Sequence, residues 1–156
     1  MYHAGMRLQL ALNVKDLDEG IDFYSKMFDT APAKIKPGYA NFEVANPPLK
    51  LVLFENPQAE GDFQHLNHLG VETEHSDQVV DAEARLSASG LETTGVDDTI
   101  CCFAEKVETW VNSPEGARWE WYVKQGDSDQ LSNEVLGEHE SAGTVCCATP
   151  TEPSCC

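Results

Sequence analysis

One succession of patterns occurs twice along the chain, and this duplication limits the folds that the sequence can adopt. In the first copy, residues 8–14 alternate apolar and polar side chains, as a half-buried strand does. Asp16 and Glu19 have the spacing of a capping box, and apolar residues recur with near-helical spacing from Ile21 to Phe28. Short strands are predicted at 33–36, 40–44 and 50–55. The first copy is therefore a strand, a helix and three further strands.

The second copy repeats this order after a predicted linker at residues 58–63. Residues 66–73 have a strand pattern, while Ser76 and Gly90 are residue types that begin and end helices. Further strands are predicted around 91–94, 107–111 and 118–123. We therefore expect an α+β fold of paired βαβββ modules, at about 6–57 and 64–124, in one domain at 1–124. Each module would bury its apolar face against its own helix or against its twin.

The composition changes at Gln125. Aromatic and basic residues are absent from 125–156, where Ser, Thr, Glu and Gly dominate. Such a segment cannot bury enough apolar surface to order itself, so we expect a disordered acidic tail at 125–156.

The charge and hydropathy of the whole chain exclude several partners. The net charge of -17 argues against nucleic acid and against an anionic membrane surface. No apolar run approaches the roughly 20 residues of a membrane-spanning helix, and the first residues lack the pattern of a signal peptide. We expect a cytoplasmic protein in which thiols stay reduced.

All six cysteines stand in adjacent pairs. The pairs are Cys101–Cys102, Cys146–Cys147 and Cys155–Cys156. Neighbouring Cα atoms are about 3.8 Å apart, whereas bridged cysteines need about 4.4–6.8 Å. The pairs are therefore suited to chelating one soft ion or metalloid, with buried apolar cysteine as the alternative.

The first pair predicts an irregular backbone. Adjacent strand side chains diverge, so a loop or bulge is expected at Cys101–Cys102, and residues 95–99 have a loop-like composition. Lys106 could lower the pKa of these thiols, although a solvated surface lysine is the alternative that we favour.

Three strands each direct one potential metal ligand away from an apolar layer. These residues are Gln9, His68 and Glu120, and Gln9 and His68 occupy equivalent positions of the repeat. An amide, an imidazole and a carboxylate suit divalent iron or manganese better than structural zinc. The fourth equivalent position falls near Val52, which cannot bind a metal. Taken singly, Gln9 could face solvent and His68 could be a hydrogen-bonded structural residue. The other histidines (His3, His65, His75 and His139) are not predicted as ligands.

Several stretches together resemble the vicinal oxygen chelate superfamily. These are NVKDLDEGIDFYSKMFDTAPAK, PGYANFEV, PPLKLVL, LNHLGVE, CC and WEWY. Within that superfamily the sequence is most similar to the organoarsenical carbon–arsenic lyases and to related proteins described as cadmium-induced. The similarity extends from about Met6 to Lys124, and the combination of Gln9, His68, Glu120 and the first cysteine pair makes it specific.

The resemblance implies a half-barrel fold and a defined chemistry. Such enzymes are iron(II)-dependent dioxygenases that cleave the carbon–arsenic bond of trivalent organoarsenicals and release arsenite. Methylarsenite and reduced aromatic arsenicals are the expected organic substrates, and O2 is the expected co-substrate. Gln9, His68 and Glu120 match the metal ligands of the family, with His68 and Glu120 expected to be catalytic, and Cys101 and Cys102 match its arsenic-binding thiols.

Three other functions remain open from the residues alone. A non-catalytic thiol protein could bind arsenite or cadmium through all three cysteine pairs. A glutathione-dependent lyase or isomerase, or an antibiotic thiol transferase, would not require the pair Cys101–Cys102. The tail pairs could also capture arsenicals for the first pair.

Overall fold

The strands of the chain form one curved sheet with a helix behind each half. The computed structural model describes residues 5–58, 64–132 and 134–135 of the 156. Within these ranges the strands are β1 (Arg7–Val14), β2 (Lys34–Lys36), β3 (Tyr39–Val44), β4 (Leu49–Glu55), β5 (Leu66–Glu72), β6 (Asp97–Cys101), β7 (Ala104–Asn112), β8 (Arg118–Asp127) and β9 (Glu134–Val135). The helices are α1 (Leu17–Phe28) and α2 (Ser76–Ala88). The strand order in the sheet is β2-β3-β4-β1-β5-β8-β7-β6-β9.

The first module follows the predicted order closely. The Asp16 side chain caps α1 by accepting a hydrogen bond from the Glu19 amide at 2.8 Å. The helix ends at Asp29, which has a left-handed backbone with φ of 47°. The apolar face of α1 covers a cluster of buried residues, which consists of Leu17, Ala40, Phe42, Val44, Leu51 and Leu53.

The second module departs from the prediction at two places. Ser76 is the first residue of α2 rather than its cap, and the Gln78 side chain accepts from the amides of Glu74 and His75. The strand predicted around 91–94 is wrong, because those residues form a connection with one isolated bridge at Thr93. The corresponding strand is instead β6.

The two modules join through the antiparallel pair β1 and β5. On either side of this pair, β1 lies parallel to β4 and β5 lies parallel to β8, so the duplication is also seen in the sheet. One face of the sheet packs its apolar residues on the helices. The concave face carries buried polar and charged side chains beside another apolar cluster, which includes Tyr39, Val52 and Trp110. The predicted α+β fold of paired βαβββ modules in a half-barrel is confirmed.

The second module extends beyond its predicted end at Lys124. Strand β8 continues to Asp127, and β9 pairs with β6 through Thr99 and Ile100. The proposed start of the tail at Gln125 is therefore too early. Residues 59–63 of the expected linker and 136–156 of the expected tail lie outside the described residues. Among the described residues, neither helix has the length and apolar character that crossing a membrane would require.

Candidate active site

Gln9, His68 and Glu120 meet on the concave face of the sheet. The Gln9 Nε2 atom lies 2.9 Å from His68 Nε2 and 3.1 Å from Glu120 Oε2. His68 Nε2 and Glu120 Oε2 are 3.4 Å apart. All three side chains are buried, with exposures of 5%, 2% and 0%. The sequence therefore identified three residues that the fold brings into contact.

The strand register explains this convergence, and Gly70 makes room for it. Gln9 pairs with Gly70 across β1 and β5, and Gly70 pairs with Glu120 across β5 and β8. A Cβ atom on Gly70 would lie 3.3 Å from Gln9 Cβ and 3.2 Å from the Glu120 carbonyl oxygen. Any side chain at this position would crowd the amide of Gln9, because interiors are close-packed.

Asn67 fixes the orientation of the His68 ring through a hydrogen bond at Nδ1. His68 Nδ1 lies 2.8 Å from the side-chain oxygen of Asn67, which can only accept a hydrogen bond. Asn67 is held in turn, because its amide nitrogen donates to Asn13 Oδ1 at 2.9 Å. The ring is therefore held with Nδ1 towards Asn67 and Nε2 towards Gln9 and Glu120, which is the orientation that a metal-binding imidazole requires.

A buried lysine neutralises the carboxylate. Lys106 Nζ lies 2.7 Å from Glu120 Oε1 and 3.8 Å from Glu108 Oε2. Burial favours the protonated form of Glu120, but the charge of Lys106 outweighs it and lowers the pKa of Glu120 to about 2. Burial likewise acts to lower the pKa of Lys106, and the charge of Glu120 raises it well above its usual value. Lys106 is thus an internal ion-pair partner, and its interpretation as a solvated residue is wrong.

The donor set fits a divalent metal ion. Ligands at right angles around a metal with bonds of roughly 2.1 Å lie about 3 Å apart, close to the three separations observed. In the structure the Gln9 oxygen accepts a hydrogen bond from the Tyr122 hydroxyl, and a half-turn of the amide would present that oxygen to a metal. Within the described part of the chain, no three His, Cys, Asp or Glu side chains are grouped to hold a metal, so the candidate centre depends on Gln9.

The cysteine pair occupies the turn between β6 and β7. Cys101 pairs with Ala104, which leaves Cys102 and Phe103 as the two turn residues, with φ of 55° and 61°. This is a type I′ turn made without the usual glycine or asparagine. It places the two sulfur atoms 2.9 Å apart, with no disulfide between them. The expected irregularity is present at the pair, although residues 97–99, predicted as loop, belong to β6.

A segment that the sequence had assigned to the tail covers this turn. We call residues 128–131 the strap. The carbonyls of Leu131 and Gln130 accept hydrogen bonds from the amides of Cys102 and Phe103, at 3.1 and 2.8 Å. The Ser128 amide donates to the Phe103 carbonyl at 3.0 Å. The strap had no apolar pattern that could have revealed it, because its contacts use the backbone.

One cavity connects the two groups of residues. It encloses about 420 Å³ out to its mouth, and Gln9, His68 and Cys102 line it together with Tyr39 and Val52. Cys101 and Glu120 have no exposed surface and are not part of the lining. The cavity therefore presents imidazole and amide groups and one thiol to the same space.

Comparison with known proteins identifies the family of the chain. The model of the Glyoxalase/Bleomycin resistance protein/Dioxygenase superfamily matches residues 7–121, and the chain belongs to this superfamily. A trivalent organoarsenical cleaving enzyme of Thermomonospora curvata is 50% identical over 146 residues, which are 94% of this chain and 90% of the relative. The cadmium-induced protein CadI of Mycobacterium tuberculosis is 49% identical over 143 residues, 90% of this chain and 92% of the relative. The resemblance predicted from the motifs is thus confirmed.

A solved structure shares the fold at lower identity. The Mn(II)-bound glyoxalase from Novosphingobium aromaticivorans aligns with a TM-score of 0.56 and 17% identity. The alignment covers 81% of this chain and 42% of that structure. It shows a common architecture.

Proposed function

We propose that the protein is an iron(II)-dependent dioxygenase that cleaves the carbon–arsenic bond of trivalent organoarsenicals and releases arsenite. Methylarsenite and reduced aromatic arsenicals are the proposed substrates, and detoxification of arsenicals is the proposed role. The observation that carries the proposal is the shared cavity, into which Gln9, His68 and the thiol of Cys102 all project. The 50% identical relative named as an organoarsenical cleaving enzyme supports the same chemistry.

The cysteine turn would hold the arsenic atom. Trivalent arsenic prefers soft thiolate ligands, and two sulfur atoms 2.9 Å apart can bind one arsenic while its organic group stays free. Lys106 would support the thiolate forms, because the charges of Cys102 and Cys101 both raise the pKa of this lysine. A cation that is stabilised by the thiolates stabilises them in return. Fixing the arsenic would restrict where the carbon–arsenic bond can lie.

Gln9, His68 and Glu120 would hold the metal. Iron(II) bound there would supply the activation of O2. Glu120 is ionised at neutral pH, and Asn67 keeps Nε2 of His68 directed at the centre. Three protein ligands leave positions for substrates, since Val52 replaces a ligand at the fourth equivalent position. Aromatic rings exclude water nearby: the centroids of His68 and Trp110 are 5.3 Å apart, and those of Tyr39 and Phe103 are 5.0 Å apart.

The proposal is tested by anaerobic reconstitution of the full chain with iron(II), followed by methylarsenite and O2. Arsenite should appear with turnover beyond one equivalent per chain. The Glu120→Ala variant should still bind the arsenical but form no product, because it loses a metal ligand. The Cys101→Ser variant should keep its iron and lose arsenical binding. Normal turnover in both variants would show that the assigned roles are wrong.

The same experiment separates the thiol-binding alternative. A buffer for arsenite or cadmium would take up the ion stoichiometrically, without product, and would not depend on Gln9, His68 or Glu120. The reduced state of the thiols that either function needs leads us to place the protein in the cytoplasm.

A further inference from the structure

We propose that the cavity contains an anion-binding subsite at Lys50, which selects arsenicals whose organic group carries an acidic substituent. Carboxylate, sulfonate and phenolate groups are the chemical class that this subsite would take. The inference rests on the proposed function and narrows its substrate class.

The charge of the cavity wall is opposite to that of the chain. Acidic residues outnumber Lys and Arg by 27 to 10 in the sequence. Four of the seven lysines nevertheless line the cavity, namely Lys34, Lys50, Lys106 and Lys124. Among the described residues, Glu72 is the one carboxylate in the lining, and Arg7 pairs with it. A basic concave wall in an acidic protein favours an anionic ligand.

Three of these lysines form close ion pairs with carboxylates. Lys106 pairs with Glu120 at 2.7 Å. Lys34 and Lys124 both pair with Asp127, the latter at 2.7 Å. These contacts explain their positions without a ligand.

Lys50 is different because its ion pair is long and its surroundings are dry. Its ammonium lies 3.5 Å from Glu43 Oε1, and Glu43 is 54% exposed and also pairs with Arg7 at 3.3 Å. The side chain of Lys50 is only 8% exposed. Burial lowers the pKa of this lysine and outweighs Glu72 and Glu43, which both favour its charged form. A bound anion would offset that desolvation cost.

The position of Lys50 is suitable for contacting the organic group. Lys50 pairs with Gln9 in the register of β4 and β1, which places it beside the metal-binding row of the sheet. It lines the same cavity as Cys102, so an arsenic held on the thiols and an acidic substituent at Lys50 would share one space. A neutral methyl group would have no use for a cation at this position. An acidic substituent on the organic group would use it.

The test compares two arylarsenites of similar shape, one with a 4-carboxyl group and one with a 4-methyl group. The kcat/KM of the iron-loaded full chain is measured for each compound. The wild type should prefer the carboxylated compound by about tenfold, which corresponds to one good ionic contact. Lys50→Met should remove most of this preference, chiefly by raising KM for the carboxylated compound, and Lys50→Arg should retain it.

Lys26→Met is the matched control. Lys26 is also a lysine of the first module, pairs with Asp22 at 2.6 Å on α1 and is not part of the lining. Its substitution should leave the preference unchanged, and circular dichroism would verify the fold of each variant. A wild type that cleaves both compounds equally, or a Lys50→Met variant that keeps the full preference, would overturn the subsite while leaving the proposed function intact. Cleavage of neither compound by the wild type would instead remove the proposed function and the subsite with it.

Discussion

The two modules share one topology but differ in what their equivalent positions contain. In the first module, Val52 and a large apolar cluster under α1 occupy the interior. In the second module the counterpart of Val52 is Glu120, and Lys106 and Glu108 are buried beside it. The apolar cluster under α2 is small and consists of Val79, Val107 and Val123, with Val96 packed against it. One copy of the repeat thus contributes mainly apolar burial, and the other holds most of the charged groups.

This difference shows how a duplicated fold can accommodate a costly site. Burial of ionised groups is unfavourable unless each is paired. The second module pairs them internally, through Lys106 and Glu120, while the first supplies mainly apolar burial, with Gln9 and Lys50 as its polar groups at the cavity. The modules are joined at β1 and β5, so the free energy of the apolar layer can support the charged site.

The largest expected difference between the modules is in the rates of two alanine variants at equivalent positions. Glu120→Ala should lower the rate of arsenite release by at least roughly three orders of magnitude, since even outer partners of metal ligands are worth about 10–100-fold. Val52→Ala removes no donor, and its rate should stay within about tenfold of the wild type. Initial rates at saturating iron(II) measure both. Comparable losses in the two variants would mean that the modules do not differ in the proposed way.

Substitution of two buried lysines tests the difference between the modules through the free energy of unfolding. Lys106→Met leaves Glu120 and Glu108 without their internal cation, and should lower the free energy of unfolding of the metal-free protein by about 3–5 kcal/mol. Lys50→Met leaves Glu43 and Glu72 with Arg7 as a remaining partner, and burial already lowers the pKa of Lys50. Its effect should be within about 1 kcal/mol, because a similar apolar volume replaces a weakly paired charge. Urea unfolding of both variants measures the difference, and equal destabilisation would contradict it.

The residue that precedes each of the two proposed ligands, Gln9 and His68, gives a finer test. Asn67 precedes His68 and holds its imidazole, whereas the equivalent residue before Gln9 is Leu8, which is 57% exposed. Asn67→Ala should weaken iron(II) binding by about 10–100-fold. Leu8→Ala should leave the affinity unchanged, because Leu8 supports no ligand. Anaerobic titration of iron(II), followed by the fluorescence of the nearby Trp110, would report both affinities.

Two truncations test whether the segment after β8 stabilises the second module. Their expected effect on stability is the smallest of the effects predicted for these variants. Deleting residues 128–156 removes the strap together with β9, so the amides of Cys102 and Phe103 lose their partners, at a cost of about 1–3 kcal/mol. Deleting residues 136–156 retains the strap and should change stability by less than about 0.5 kcal/mol. Thermal unfolding of the two truncated chains distinguishes them. Equal stability would show that the strap does not support the cysteine turn.

The sequence was most informative where side-chain alternation was regular. Residues around Gln9, His68 and Glu120 alternate cleanly, so the face on which each side chain lies could be predicted before the strands were paired. The register that brings the three together could not be predicted, since it depends on pairing between strands distant in the chain. Val52 was correctly placed as their fourth counterpart.

Three other features could not be predicted from the sequence, each for a physical reason. A lone lysine in a sequence pattern is usually solvated, so the burial of Lys106 could be inferred only once Glu120 and Glu108 were seen around it. The turn at Cys102 and Phe103 lacks the glycine or asparagine that normally marks a type I′ turn. The strap has a polar composition and binds through carbonyl groups, so its sequence resembled that of the tail.

The central claim is that a metal held by both modules and an arsenic atom held by the second module occupy one cavity. Anomalous X-ray scattering at the iron and arsenic edges, from anaerobic crystals of the iron-loaded protein with phenylarsenite, tests it most directly. We expect an iron peak among Gln9, His68 and Glu120 and an arsenic peak on the sulfur atoms of Cys101 and Cys102. An iron peak on the thiols, or an arsenic peak outside this cavity, would contradict the account.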